Sequence, residues 1–510
     1  MAGRGLAYSI VAASMLVAAS PAPAAPAKLD PARIEALKTF VRHSMDELGI
    51  PGAAIAVVDH GRILFEGGFG VRRLGDPAPV DAHTLFMIAS NTKPLTTLLL
   101  ARLVDQGKLA WSEPVVQAYP GFRLGDEATT DRVEVRHLVC ACTGMPRRDY
   151  EWGLNSRPDT PAANTFALLA TMQPTTPFGK AYQYNNLMAA AAGYVAGHAL
   201  FPEKELGDAY DAAMQRELFA PLGMHETTFD FARALRGDHA DPHGFDADGN
   251  PAPAALAPDY MEVPYRPQGG AWSSAHDLIR YVRLELAEGR LPGGRRLVSA
   301  ENLLARRRPG VTIDDHSFYG IGLIGDTGWG VPVFHHAGAD PGYKSDFVFI
   351  PDADVGAVIL TNGDGGDALG RPFIAKLVEL LYGGTPQAEA RVTASARRIR
   401  TEAATLRKTL TIPADRDLAS ALAGTYANPE LGTITVSQDG DGTSFRFASW
   451  GSKVGSRRND DGTASFVTID PTTAGIEFVA SRRNGAHTLL LHDGPTDHLY
   501  VETNPVTPLR

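Results

Sequence analysis

From about Ala414 onward the chain runs as short alternating or apolar stretches separated by tight-turn dipeptides, and this pattern splits it into two kinds of structure. Asp441-Gly442, Asp461-Gly462 and Asn484-Gly485 fall where hairpins need positive φ. Around them lie Thr433 to Ser437, Ser444 to Ala448, Ala464 to Ile469, Gly475 to Ala480 and Ala486 to Leu491, each of strand length. The pattern predicts a small all-β domain, a barrel.

The preceding part is mixed. Asp30-Pro31 caps a helix whose Ile34, Leu37, Val41, Met45 and Leu48 form one apolar stripe, and Gly49 ends it. Ala53 to Asp59 and Arg62 to Phe69 read as a hairpin around His60-Gly61. A long stretch of helices and loops follows. Strands return at Gly320 to Ile324, Val333 to His336, Ser345 to Ile350 and Val355 to Thr361. Early hairpin and late strands are expected to share one antiparallel sheet covered by helices, with the middle of the chain as a helical subdomain. Pro372 to Leu381 is the last helix of this unit, and Gln387 to Leu410 is a linking surface helix. The expected division is 1–24 leader, 28–385 mixed α+β domain, 386–412 helical linker and 413–510 barrel.

At 510 residues the chain has room for two to three domains with their own cores. Its net charge of −10 and the lack of a basic stripe exclude nucleic acid as a main partner. Arg4, the small and apolar run Leu6 to Ala19, and Ala22-Pro23-Ala24 read as an export signal with a cleavage site, so a periplasmic or secreted location is expected. That run is too short for a bilayer span, and no later segment could make one. The two cysteines, Cys140 and Cys142, are separated by one residue. A mutual disulfide there would be strained, so buried free thiols are the expectation.

Ser90-Asn91-Thr92-Lys93 is the one Ser-x-x-Lys in the chain, and it stands between the apolar run Leu85 to Ala89 and a helix starting near Pro94. Positions i and i+3 share a helix face, so the hydroxyl and the amine can meet. An amine held beside a serine activates it as a nucleophile, provided that burial keeps the amine neutral. The plainer alternative is an N-cap serine with a solvated lysine.

Two further groups carry chemistry. Tyr184-Asn185-Asn186 puts a phenol and an amide at i and i+2, on one side of an extended segment. His336-Ala337-Gly338-Ala339 lies on a strand, where Gly338 would let a substrate approach the edge and His336 could donate to it. Each has a decoy in the barrel region, Tyr426-Ala427-Asn428 and His492-Asp493-Gly494, so neither is decisive alone.

In this order the three groups resemble the serine β-lactamase and penicillin-binding-protein family, nearest to its class C-like branch of esterases and D-amino-acid-releasing peptidases. Val135-Arg136-His137-Leu138, Thr143-Gly144-Met145-Pro146, Pro221-Leu222-Gly223-Met224 and Gly269-Gly270-Ala271-Trp272-Ser273-Ser274 add to the resemblance, which runs from Ile34 to Leu381. Gly424-Thr425-Tyr426 and Leu431-Gly432-Thr433 resemble the lipocalin-like module often appended to that branch. The resemblance implies acyl transfer through a serine ester, with no metal or cofactor. Ser90 would attack, Lys93 and Tyr184 would move the proton, and Tyr184 would serve as base for hydrolysis of the ester. Backbone N–H groups of Ser90 and Ala339 would form the oxyanion hole, worth ~3 kcal/mol per donor in comparable sites. Asn186 would bind the substrate amide, beside His336 and Gly338.

The chain departs from the pattern in two places. His336 stands where β-lactamases carry a lysine that grips a carboxylate, and a mostly neutral imidazole grips less well. Uncharged esters, amides or peptides, including D-amino-acid peptides, are therefore the expected small-molecule substrates. The alternative is a β-lactamase or penicillin-binding protein that is acylated with little turnover. Cys140-Ala141-Cys142 also replaces the usual His-Thr-Ser, and Arg147-Arg148 after it read as a solvated pair or as a carboxylate anchor.

Overall fold

The structure is a computed structural model that describes residues 25–494 and 496–503. The leader read at 1–24 lies outside the described residues. Among those described, no helix is long and apolar enough to cross a membrane.

Helix α1 (Pro31–Leu48) starts where the Asp30 carboxylate accepts from the Arg33 N–H at 2.9 Å, satisfying one of the free amides of the first turn. It ends at Gly49, whose φ of 66° suits a residue without Cβ. An eight-stranded antiparallel sheet follows, built from β1 (Gly52–Asp59), β2 (Arg62–Gly70), β3 (Val311–Thr312), β4 (Ser317–Tyr319), β5 (Ile324–Asp326), β6 (Val333–Asp340), β7 (Tyr343–Ile350) and β8 (Val355–Thr361). Its order is β2-β1-β8-β7-β6-β5-β4-β3, so the early hairpin joins the late strands as the sequence implied. Of the stretch Gly320 to Ile324 only Ile324 is strand, the first residue of β5, and Gly320 to Leu323 form the turn between β4 and β5. Its amides bond outside the sheet, from Ile321 to the Arg306 carbonyl and from Gly322 to the Val139 carbonyl.

Every residue of β1 is buried, because helices cover both faces of the sheet. Ala53, Ile55 and Val57 face a layer holding Leu37 and Val41 of α1. Ala54, Ala56 and Val58 face the other layer, with helix α2 (Thr92–Asp105) and the Ala-rich helix α3 (Asn186–Leu200). Helix α4 (Ala275–Leu286) packs on that same face through Leu278, Ile279 and Val282. Helix α5 (Gly370–Tyr382) joins α1, and helix α6 (Ala388–Thr409) buries only Ala388, Val392 and Ala396.

The last eight strands close into a barrel in sequence order, β9 (Thr425–Asn428), β10 (Gly432–Asp439), β11 (Gly442–Arg446), β12 (Gly451–Arg458), β13 (Ala464–Thr468), β14 (Glu477–Arg483), β15 (Ala486–Asp493) and β16 (Thr496–Glu502). Closure leaves no open edge. The barrel is seated on the mixed domain. Leu154 is buried in the barrel's own core beside Phe447 and Trp450, and the Trp450 indole donates to the Gly153 carbonyl at 3.0 Å. The Ala448 amide donates to the Leu154 carbonyl at 3.2 Å, and Arg148 pairs with Glu430 at 3.1 Å.

Candidate active site

Ser90 occupies a one-turn 3-10 segment, Ala89–Asn91, that leads into α2. Ala89 has a φ of 48°, a left-handed conformation that costs an L-residue on the order of 1–3 kcal/mol and persists where neighbours hold it. Those neighbours are visible. The Ile88 amide donates to Ala271, the Ser345 hydroxyl donates to the Ile88 carbonyl at 2.7 Å, and Asn91 Nδ2 donates to Ser345 Oγ at 2.8 Å. Gly338 on β6 completes the clamp, since a Cβ there would stand 2.2 Å from the Ile88 oxygen and 2.4 Å from Ser345 Oγ. Gly338 thus lets the strand close on the serine turn, a packing role the sequence did not suggest.

Lys93 lies one turn on, 1% exposed. Its Nζ donates to Ser90 Oγ at 2.9 Å, to the Gln268 carbonyl at 2.8 Å and to Gln268 Oε1 at 3.2 Å. Burial pulls its pKa down to about 7, against the nearby Glu262 and Asp149 carboxyls that hold it up. Arg306 fixes the helix, donating to the Pro94 carbonyl at 2.8 Å and to Thr97 Oγ1 at 3.0 Å while paired with the fully buried Glu285.

The Tyr184 ring lies 4.7 Å from Lys93 Nζ. The residue keeps some open surface, but packing around the phenol pushes its pKa far above the ordinary value, with the nearby Ser90 hydroxyl working against the shift. A phenol so held stays protonated at neutral pH. Its segment is braced by the Cys140–Cys142 loop, through Gln183 N–H to the Ala141 carbonyl at 2.8 Å and Gly179 N–H to the Cys142 carbonyl at 2.7 Å.

That loop holds a disulfide between Cys140 and Cys142, not the free thiols expected. Ala141 adopts a φ of 51° and folds the chain back, bringing the two Cα atoms to 5.1 Å, within the usual range for a bridge. Residue spacing alone does not show that curl.

Two other expected substrate contacts are placed differently. His336 is buried behind the site, with Tyr319 Oη donating to its Nε2 at 3.0 Å and its Nδ1 donating to the Ala337 carbonyl at 2.8 Å. Burial and then the Lys93 charge lower its pKa to about 3, which keeps the ring neutral where it packs against Tyr184 and Tyr319. Asn186 does line the cleft, but its Nδ2 is committed to Asp149, at 3.0 and 3.1 Å from the two carboxylate oxygens. Its Oδ1 has no partner among the described residues, so what it offers is an acceptor.

The cleft itself holds about 350 Å³. Ser90 and Ala339 face it from the mixed domain, and Trp450, Thr472 and Ile476 from the barrel. Beyond His335, β6 is unpaired on the side away from β7, so alternate main-chain groups there face the open edge. Arg147 also lines the cleft, paired with Asp149, while Arg148 is used between Glu151 and the barrel's Glu430. Gln268, Asp149 and the barrel wall were not legible as site residues. Gln268 acts largely through a carbonyl, which carries no side-chain signal, although it stands directly before Gly269-Gly270.

A protein-family model described as Beta-lactamase matches residues 37–379. The chain belongs to that family. It is 30% identical over 322 residues to penicillin-binding protein 4 of Amycolatopsis lactamdurans, covering 62% of this chain and 81% of that protein. It is 27% identical to an unguisins hydrolase of Aspergillus campestris, covering 63% of this chain and 60% of that one. Among solved structures, the octameric penicillin-binding protein homologue from Pyrococcus abyssi matches with a TM-score of 0.61 at 20% identity, over 92% of this chain and all of that one. A β-lactamase/D-alanine carboxypeptidase from Pseudomonas syringae matches with a TM-score of 0.54 at 19% identity, over 73% of this chain and 99% of that one. Both structures share the fold. Beta-lactamase-fold proteins generally act as serine hydrolases, and the SxxK serine and lysine here meet within hydrogen-bond distance.

Proposed function

We propose that the protein hydrolyses small esters or amides, including peptides with D-amino acids, through an acyl-Ser90 intermediate. The observation that carries this reading is the 2.9 Å contact of a buried, easily neutralised Lys93 with the hydroxyl of a serine exposed to the cleft. In the first step Ser90 Oγ bonds to the substrate carbonyl carbon as its proton passes to Lys93. Charge on the carbonyl oxygen is received by the N–H groups of Ser90 and Ala339. The bond to the leaving group then breaks, and the proton returns to that group from Lys93 by way of Tyr184. Water attacks the ester next, Lys93 takes its proton, and the Oγ–C bond breaks to release the acid and restore Ser90.

His336 supports the turn away from β-lactams. It is neutral and enclosed, and offers no cation for a substrate carboxylate. The barrel residues on the cleft wall make it a limit on substrate size. An exported location is part of the same proposal, with the disulfide as its support, since such bonds persist in oxidising compartments.

A panel of nitrophenyl esters, D- and L-aminoacyl anilides and nitrocefin, run on the purified protein, tests the reading. Turnover of an ester or anilide that disappears in Ser90→Ala supports it. Nitrocefin as the one substrate hydrolysed, or acylation that never turns over, contradicts it.

A further inference from the structure

A neutral lysine has two N–H bonds and one lone pair, and its use as a base depends on where that lone pair points. Lys93 Nζ lies near three oxygens. Two belong to Gln268, its carbonyl at 2.8 Å and its side-chain Oε1 at 3.2 Å, and the third is Ser90 Oγ at 2.9 Å. With both N–H bonds given to Gln268, the lone pair is directed at the Ser90 hydroxyl. The Gln268 amide therefore sets the aim of the base, as long as its oxygen and not its nitrogen faces Lys93.

Glu262 decides which end faces the lysine. It lies in the 3-10 segment Ala257–Tyr265, is 2% exposed, and its Oε2 accepts from Gln268 Nε2. With the nitrogen held there, Oε1 is turned to Lys93. A flipped amide would set donor against donor at the lysine and acceptor against acceptor at the carboxyl. Gly269 makes room for the contact, since a Cβ at that position would stand 2.6 Å from Glu262 Oε2.

The carboxyl has no stabilising partner of its own. Among the described residues Glu262 makes no salt bridge, and Gln268 is the one donor to it. The charged groups that face it are Lys93, across Gln268, and the carboxyls of Asp149, Asp259 and Asp340, the last also unpaired. Burial and then Asp340 push the Glu262 pKa well above the ordinary value, with Lys93 working against the shift. In either protonation state one oxygen remains free to accept from Gln268. A buried carboxyl without a counter-charge costs stability, so an apolar side chain of like size would pack there without loss.

We propose that Glu262 is a positioning residue for acylation: it fixes the Gln268 amide and, through it, aims the Lys93 lone pair at the Ser90 hydroxyl. The assignment rests on the acyl-Ser90 reading and leaves its bond changes as they stand.

The test follows the rate at which a fluorophosphonate modifies Ser90, by intact mass against time, together with kcat/KM on nitrophenyl acetate. The variants are Glu262→Met, Gln268→Met, their double and Glu262→Gln. Each single methionine variant is expected to lose at least about tenfold in both rates, as a misaimed catalytic group does. The double variant should lose no more than the worse single one, because both changes remove one device. Glu262→Gln keeps an acceptor for Gln268 Nε2 and should stay within about threefold of wild type. The thermal midpoint of Glu262→Met should be no lower than that of wild type, which a purely structural role does not allow. A wild-type rate in Glu262→Met, losses that add in the double variant, or a Glu262→Gln variant as slow as Glu262→Met overturns the proposal. So does a rate loss matched by a fall in the thermal midpoint. An active wild type with an unaffected Glu262→Met removes the positioning role alone, whereas a wild type that is neither modified on Ser90 nor active removes the hydrolase reading as well.

Discussion

Lys93 Nζ stands 2.9 Å from Ser90 Oγ, and the same nitrogen is anchored to the Gln268 carbonyl at 2.8 Å. The anchor comes from the segment just before Gly269-Gly270, so the base is held by a strand of chain far from its own helix. An amine gripped on two sides and 1% exposed loses rotamer freedom and water together.

The pH dependence follows from that burial. Lys93 must be neutral to take a proton, and its pKa is pulled down to about 7. Activity should therefore rise with pH through a single limb centred near 7, measured as kcat/KM from pH 5 to 9. Stability carries the same sign. Between about 7 and the ordinary lysine value of 10.5 the unfolded chain binds a proton that the folded chain has released, so this group adds stability as pH rises across that window. A flat rate profile would remove the neutral lysine from the account.

Gly338→Ala tests the close approach of β6 to the serine turn. A Cβ 2.2 Å from the Ile88 main-chain oxygen leaves nothing flexible to give way. The expected cost is about 1–3 kcal/mol in chemical denaturation, with a slower acylation rate because the turn is displaced. Acylation at the wild-type rate in a destabilised variant would separate the clamp from catalysis.

The ion pair beneath α2 should be expensive to break. Glu285 and Arg306 are both fully buried, and Arg306 also holds Pro94 and Thr97 of the catalytic helix. Glu285→Gln leaves the guanidinium without its counter-charge, and a loss of ~3–5 kcal/mol is expected from urea denaturation. A loss under ~1 kcal/mol would show that Arg306 finds other partners there.

Trp450 carries the barrel's contribution to the cleft. Trp450→Ala should widen the cleft and raise the relative rate on bulkier acyl groups by several-fold, read as the ratio of kcat/KM for long and short nitrophenyl esters. An unchanged ratio would reject the barrel as a limit on size. Removing the whole barrel is a poorer test, since it would leave Leu154 bare.

Legibility followed how far each feature depends on local geometry. Ser90 and Lys93 could be paired from spacing because a helix brings i and i+3 together. Helix α1 could be bounded from its cap and its glycine. The barrel was visible through its turn dipeptides, yet β9, β12 and β16 were missed, β9 because it is only four residues long and the other two because their polar and charged residues dilute the alternation. The disulfide depended on a positive φ at Ala141, an alanine that gives no warning of it. His336 was placed on the right strand, but its orientation depends on Tyr319, a residue of the distant β4. Gln268 and the unpaired Asp340 needed the tertiary structure outright.

The central claim is that Ser90 forms a covalent acyl-enzyme. Intact mass after incubation with a fluorophosphonate, followed by peptide mapping, reads it directly. One adduct is expected on the wild-type protein, located on Ser90 and absent from a folded Ser90→Ala variant. No adduct on the wild type, or an adduct that persists in the variant, would contradict it.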